Sequence, residues 1–73
     1  MAQLTHEKYE TLERAVVKGT RVAIQRKGRR EYIVIPLRLG MRDGREAVEA
    51  RNPVTGHDLT IYVDEIDRVE ALP

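Results

Sequence analysis

Four turn sequences divide residues 20–72 of this chain into five short segments, and their spacing restricts what the chain can fold into. The turns are Lys27-Gly28-Arg29, Asp43-Gly44, the stretch Asn52–Gly56 and Asp64-Glu65-Ile66. Gly, Asn and Asp accept the backbone conformations that tight turns require. Asp-Gly between two strands is typical of a type I′ hairpin turn, in which both residues have positive φ.

The segments between the turns alternate apolar and polar residues, which indicates strands with one buried face. Val22 and Ile24 alternate with polar neighbours in the first segment, and Leu59, Ile61 and Val63 do so in the fourth. The predicted strands are residues 20–26, 31–39, 46–51, 57–63 and 67–72.

The second predicted strand is apolar on both faces. A regular alternation puts its odd positions on one face and its even positions on the other. These are Ile33, Ile35, Leu37 and Leu39 on one face, and Tyr32 and Val34 on the other. We therefore expect part of this strand to be covered on both sides. Pro36 lacks an amide proton for a ladder hydrogen bond, so it predicts a bulge, an edge or a bend.

Residues 5–18 carry the period of an amphipathic helix. Tyr9, Leu12 and Val16 fall on one face with Ala15 beside them, and charged residues fill the other faces. This spacing predicts one helix before the strands.

The residues at both ends of this helix support its limits. Thr5 is placed to cap the N-terminus, and Leu4 is placed to pack against Tyr9 as a hydrophobic staple. Gly19 is a natural residue to follow the last turn, because glycine adopts positive φ without strain.

One helix followed by five short strands predicts a small closed architecture. A sheet with one apolar face must close on itself or be covered. We predict a single domain over residues 1–73, mainly β with one N-terminal helix. The fold would be a small five-stranded SH3-like or Sm-like barrel over about residues 20–72, with the helix at one open end. A domain of 73 residues without cysteine is helped by self-association.

The composition argues against catalysis and against a membrane or secreted location. The chain has no Cys and no Ser, so the commonest nucleophiles are missing. His6 and His57 lie far apart and outside any recognisable metal-ligand spacing. No apolar run approaches the roughly 20 residues of a membrane span, and the N-terminus is too polar for a secretion signal. We expect a cytoplasmic protein that is not an enzyme and has no cofactor or metal.

The net charge of +1 hides an asymmetry along the chain. Basic residues dominate residues 19–51, whereas acidic residues dominate from Asn52 onward. Such polarity can steer a charged partner to one side of a domain. It can equally let the two halves of the chain pair with each other in the fold, and both interpretations stay open.

Several short motifs, taken in order, resemble the WYL domain family. They are Pro36-Leu37, the RDGR of Arg42–Arg45, Asn52-Pro53 and the VDEIDRVEAL of Val63–Leu72. The helix and the VAIQR strand also match the opening of that family, so the resemblance spans most of the chain from about Leu12. It implies an Sm-like, SH3-type barrel. It also implies a regulatory role, because such domains usually accompany DNA-binding regions of bacterial transcription factors or defence proteins and are thought to sense nucleotides or nucleic acids.

This chain departs from that family at the residues that give it its name. The positions that match Trp-Tyr-Leu are Glu46, Ala47 and Val48, and the position that matches a family arginine is Tyr62. Only Val48 is a similar residue, so the ligand residues are not carried over. No helix-turn-helix segment is recognisable, and we expect a stand-alone domain.

A second resemblance is to the Rho-inhibitor family (Rof). The YETLERA of Tyr9–Ala15, followed by a barrel that ends in a VDEID-like stretch, is similar to that family. Its members are small stand-alone Sm-like proteins with a preceding helix, and they bind the termination factor Rho. Both resemblances imply the same fold and a role near transcription or RNA metabolism.

The first functional hypothesis is a protein-interaction module. The segment LTIYV, residues 59–63, can pair with another chain if it lies at an edge of the sheet. Thr60 and Tyr62 are then candidate contact residues. The partner would be a protein of the transcription machinery or a second copy of the chain, with a homodimer as the commonest form.

The alternative hypothesis is that a basic face of the first two hairpins binds nucleotide, RNA or single-stranded DNA. Arginine is well suited to phosphate. Stacking aromatics are scarce, with three Tyr and neither Phe nor Trp. The candidate residues are Arg21, Arg26, Lys27, Arg29, Arg30, Arg38, Arg42 and Arg45.

Overall fold

A computed structural model describes residues 6–73 as one helix followed by five strands. The helix α1 is His6–Lys18, and the strands are β1 Val22–Arg26, β2 Glu31–Arg42, β3 Arg45–Arg51, β4 Asp58–Tyr62 and β5 Ile66–Ala71. A short 3-10 turn, Val63–Glu65, joins β4 to β5. The predicted fold class, mainly β with one N-terminal helix, is confirmed. The predicted Thr5 cap and Leu4 staple lie outside the described residues.

Helix α1 turns its apolar face to the strands and ends where the sequence predicts. Leu12 and Ala15 are buried in the core, because they recur at the spacing that keeps residues on one helix face. Gly19 has a φ of +69°. The amide groups of Gly19 and Thr20 both donate to the carbonyl oxygen of Ala15, at 2.8 and 3.1 Å. These bonds satisfy a carbonyl group at the helix end and redirect the chain into β1.

All five strands pair antiparallel in one sheet, in the order β4-β3-β2-β1-β5. β2 is the longest strand and pairs with two neighbouring strands. Its first half pairs with β1, with Val34 opposite Val22, and its second half pairs with β3, with Leu39 opposite Val48. β5 returns to pair with β1, so β4 and β5 lie at the two edges. This arrangement is consistent with the predicted small SH3-like or Sm-like barrel.

A bulge interrupts β2 soon after its pairing with β3 begins. The pairing with β3 shifts between Pro36 and Arg38, which confirms that Pro36 marks an irregularity. An extra residue on one strand reverses the alternation of faces beyond it. Tyr32, Val34 and Pro36 therefore lie on the inner face before the bulge, and Leu39 packs against the core after it.

The prediction that Ile33, Ile35, Leu37 and Leu39 share one face is wrong. Leu39 lies on the inner face, whereas Ile33 and Leu37 are 45% and 37% exposed. The bulge is the physical reason, because a strict alternation of side chains does not continue through it. The core itself is small and almost entirely aliphatic. Its buried members are Leu12, Ala15, Val22, Ile24, Val34, Val48, Ala50, Ile61, Val63 and Ile66.

The β2–β3 connection is the predicted type I′ turn. Asp43 and Gly44 have φ values of +55° and +75°, and Arg42 pairs with Arg45 on either side of them. A two-residue turn with positive φ at both positions matches the twist of the flanking strands.

Replacement of Gly44 by alanine tests this turn. A Cβ at Gly44 has space, since no atom lies within 4 Å of it, but its positive φ strains an L-residue by about 1–2 kcal/mol. Gly40→Ala is the matched control, because its Cβ also has space and its φ lies outside the positive range. We expect Gly44→Ala to lower the free energy of unfolding in urea and Gly40→Ala to leave it unchanged or raise it. Equal losses in the two variants would contradict the assigned turn.

Candidate functional site

Strand β4 lies at an edge of the sheet, as the interaction hypothesis requires. Within residues 6–73 it pairs with β3 alone. The register runs from Arg51 opposite Asp58 to Ala47 opposite Tyr62 without a shift. An edge strand held firmly on one side leaves a row of backbone groups on the other side, and such a row can accept a further strand.

The hydrogen-bond pattern identifies which residues of β4 carry those outward groups. The amide of Asn52 donates to the carbonyl oxygen of His57 at 2.8 Å, so these two residues form a hydrogen-bonded pair. Such pairs alternate along an antiparallel ladder. Leu59 and Ile61 therefore direct their backbone groups toward β3. The backbone groups of Asp58, Thr60 and Tyr62 point away from the sheet.

Thr60 is held in place on the outer face. Its hydroxyl donates to the two carboxylate oxygens of Glu49, at 3.2 and 3.3 Å. Glu49 also accepts a bond of 2.9 Å from Arg42, so β2, β3 and β4 are linked by one row of side chains. The predicted contact residue thus has a defined orientation.

Tyr62 lies across the outer face of β3. It stands opposite Ala47, which is only 3% exposed. Its hydroxyl donates to Oδ2 of Asp43, in the β2–β3 turn, at 3.1 Å. The hydrogen bond to Asp43, together with burial, raises the pKa of Tyr62 above its ordinary value. A small residue opposite Tyr62 leaves room for a ring that reaches over the strand.

The guanidinium group of Arg45 covers this ring and joins β3 to the 3-10 turn. Its central carbon lies 3.8 Å from the centroid of the Tyr62 ring, a cation–π geometry. Two nitrogens of Arg45 bond the two carboxylate oxygens of Asp64, at 2.7 and 3.2 Å. A longer contact of 3.4 Å reaches Glu65. These bonds lower the pKa of Asp64 and raise the pKa of Arg45.

Several cations of the basic half are engaged within the fold. Arg26 bonds Glu65 at 3.1 Å, and Arg51 bonds Asp58 at 2.9 Å. Together with Arg45, they pair with acidic residues that follow Asn52. The interpretation that the two halves of the chain pair with each other is therefore correct for these three residues. Of the eight predicted phosphate-binding residues, Arg26, Arg42 and Arg45 have carboxylate partners.

The other five predicted residues are exposed and lie in three different places. Lys27, Arg29 and Arg30 share the β1–β2 turn, Arg21 precedes β1 at its opposite end, and Arg38 follows the β2 bulge. None of the five forms an ion pair with another residue between 6 and 73. Among the predicted residues, exposed positive charge is therefore densest in the β1–β2 turn. It does not form a continuous face across both hairpins.

A groove of about 590 Å³ lies between α1, the β2–β3 turn and the start of β5. The helix pattern places Tyr9 in the core. In the structure, its hydroxyl donates to Glu46 in this groove. The lining carries both signs of charge, so it favours neither an anion nor a cation. Its residues are Lys8, Tyr9, Lys27, Gly44, Arg45, Glu46, Val63, Asp64, Ile66 and Asp67.

The sequence alone does not identify the contacts of Tyr62 and Arg45. Alternation places Tyr62 on the outer face, and the turns at Asp43-Gly44 and Asn52–Gly56 set its register opposite Ala47. Asp43 and Asp64 are each 19 residues from the partner that they contact. Only the folding of the sheet brings them together.

Comparisons with other proteins leave the family open. No protein-family model matches the sequence, and a search of curated proteins finds no match. The similarity to WYL domains and to the Rho-inhibitor family remains a prediction.

Among the residues that the structure describes, no helix is long and apolar enough to cross a membrane, and no three His, Asp or Glu side chains are grouped to hold a metal ion.

Removal of the Arg45 charge tests this network through the Asp64 carboxyl. Arg45→Gln should raise the pKa of Asp64 toward its ordinary value, as followed by NMR of the side-chain carboxyl carbon. Because the pKa of Asp64 is lower in the folded state than its unfolded value of 3.8, the ion pair contributes its full stabilisation above pH 3.8. This stabilisation is lost as the pH falls through the lower pKa of the folded state. Arg42→Gln is the control, because Arg42 bonds Glu49 instead. An unchanged pKa of Asp64 in Arg45→Gln would contradict the ion pair.

Proposed function

We propose that this protein is a small, non-catalytic interaction module that binds another protein chain by adding a strand to β4. The observation that carries this proposal is the outward-facing backbone of Asp58, Thr60 and Tyr62 on an edge strand that, among residues 6–73, pairs with β3 alone. Main-chain hydrogen bonds supply affinity in this mode of recognition, and alternate side chains supply specificity. The side chains of Thr60 and Tyr62 are held by hydrogen bonds and are suited to supply specificity.

A regulatory role in transcription or RNA metabolism is the setting that we favour for this module. It rests on the resemblance of RDGR at Arg42–Arg45 and of VDEIDRVEAL at Val63–Leu72 to WYL domains, and of YETLERA at Tyr9–Ala15 to the Rho-inhibitor family. Both resemblances concern regulators with an Sm-like barrel. A cytoplasmic location agrees with this setting.

A proline at Thr60 tests the use of this edge. The amide of Thr60 points away from β3, so Thr60→Pro removes an outward donor without removing a ladder bond to β3. Thr60→Val is the matched control, because it also loses the hydroxyl that bonds Glu49 but keeps the amide. After circular dichroism shows that both variants are folded, each is immobilised and exposed to native cell extract. We expect proteins retained by Thr60→Val to be at least tenfold depleted on Thr60→Pro.

The result that opposes this proposal is equally direct. If mass spectrometry finds the same proteins in the same amounts on both variants, strand addition at β4 is excluded.

A second candidate function is binding of RNA or single-stranded DNA through the β1–β2 turn. Lys27, Arg29 and Arg30 are exposed within four consecutive residues and form no ion pair with another described residue. Phosphate contacts of this kind depend strongly on salt, because binding releases condensed counterions. The Tyr62 ring contributes little here, since Arg45 already covers it.

Neutralisation of two arginines in this turn tests the second function. In low salt, Arg29→Gln combined with Arg30→Gln should weaken binding of a labelled single-stranded oligonucleotide. A plot of the logarithm of the binding constant against the logarithm of the salt concentration should become less steep. Its slope should decrease in magnitude by about 1.4, at about 0.7 for each phosphate that the protein no longer neutralises. The control pairs Arg14→Gln with Arg68→Gln, which changes the net charge equally at two other exposed sites. Equal weakening in both double variants, or no binding by the unaltered protein, would rule out a site at the turn.

A further inference from the structure

We propose that the strand added to β4 is β4 of a second copy, and that the two-fold axis of this dimer passes beside Thr60. This inference rests on the proposed use of β4 as an acceptor edge. It goes further because it identifies the partner and the register from the side chains of the strand itself.

The outward backbone groups of β4 are symmetric about Thr60. Asp58 and Tyr62 lie two residues to either side of it. In an antiparallel pair centred on Thr60, this residue meets Thr60 of the second copy, and Asp58 meets Tyr62 of the second copy. Each of the three residues then exchanges both backbone hydrogen bonds with its counterpart. No other two-fold register pairs all three, because a shift leaves Asp58 or Tyr62 beyond the end of the opposing strand.

The side chains on both faces are compatible with this register. On the outer face, threonine meets threonine and aspartate meets tyrosine, so no like charges stand opposite each other. Asp58 already bonds Arg51 at 2.9 Å, which offsets its charge. On the inner face, Leu59 meets Ile61 of the second copy. Leu59 is only half-buried at the sheet edge, and an added strand covers it further.

The other sheet edge is a poorer partner for β4. The amide of Leu72 donates to the carbonyl oxygen of Arg21 at 3.1 Å, and the alternation from this bond gives outward backbone groups to Val69 and Ala71. These residues lie opposite Ile24 and Val22, which are buried on the inner face. A β4–β5 pair between copies would therefore place the apolar inner side of β5 beside the polar outer side of β4. A β4–β4 pair keeps like faces together.

Opposite charges at position 60 test the register. In the proposed dimer, Thr60→Lys places two positive charges directly opposite each other, and Thr60→Glu places two negative charges there. Each variant alone should raise the dimer dissociation constant about fivefold, as expected when a cross-strand pair loses up to about 1 kcal/mol. An equimolar mixture of the two should restore dimers of mixed composition. Thr60→Gln is the neutral control of similar size. It also loses the hydroxyl that bonds Glu49, so the effect of charge is the difference between each charged variant and Thr60→Gln.

Sedimentation equilibrium over a range of concentrations provides the measurement, with native mass spectrometry to identify mixed dimers. We expect the unaltered protein to rise from its monomer mass of 8.4 kDa toward twice that value as concentration increases. A concentration-independent monomer would overturn the second copy as partner, but it leaves the capture test with Thr60→Pro unaffected. A dimer that Thr60→Pro weakens but that is insensitive to the lysine and glutamate variants would overturn the register centred on Thr60.

Discussion

The bulge between Pro36 and Arg38 is the feature on which the rest of the structure depends. One long strand, β2, belongs to both halves of the sheet, because it pairs with β1 up to Val34 and with β3 from Ile35 onward. The bulge shifts the pairing with β3 by one residue. Proline suits this place because it cannot donate a ladder hydrogen bond. Without the extra residue, Val34 and Leu39 would face opposite sides, and the small core would lose one of them.

The position of β4 follows from this arrangement. β2 and β3 form a hairpin through Asp43-Gly44, and β3 and β4 form another through Asn52–Gly56. The chain then crosses the 3-10 turn, and β5 pairs with β1 at the far edge. Among residues 6–73, no strand pairs with the other side of β4. Its outward backbone groups, together with Thr60 and Tyr62, form the surface that we propose for a partner.

Charge has a double role in this protein. Arg26, Arg45 and Arg51 pair with carboxylates from the later part of the chain and tie the turns together. Exposed ion pairs of this kind each contribute modestly to stability, but the stacking of Arg45 on Tyr62 also orients the surface beside β4. The cations of the β1–β2 turn form no ion pair with another described residue. This difference separates the arginines that pair within the fold from the cations that we propose for a phosphate partner.

The sequence by itself determined the local structure: the helix, the five strands, the type I′ turn and the irregularity at Pro36. These depend on periodicity, on residues that accept positive φ and on a missing amide proton, all of which are local properties. The tertiary structure alone decided which face of β2 is buried, which strand is at the edge and which carboxylates Arg26 and Arg45 meet. Those outcomes depend on a one-residue change of register and on contacts between residues about 20 to 40 positions apart. Alternation within single segments does not contain that information.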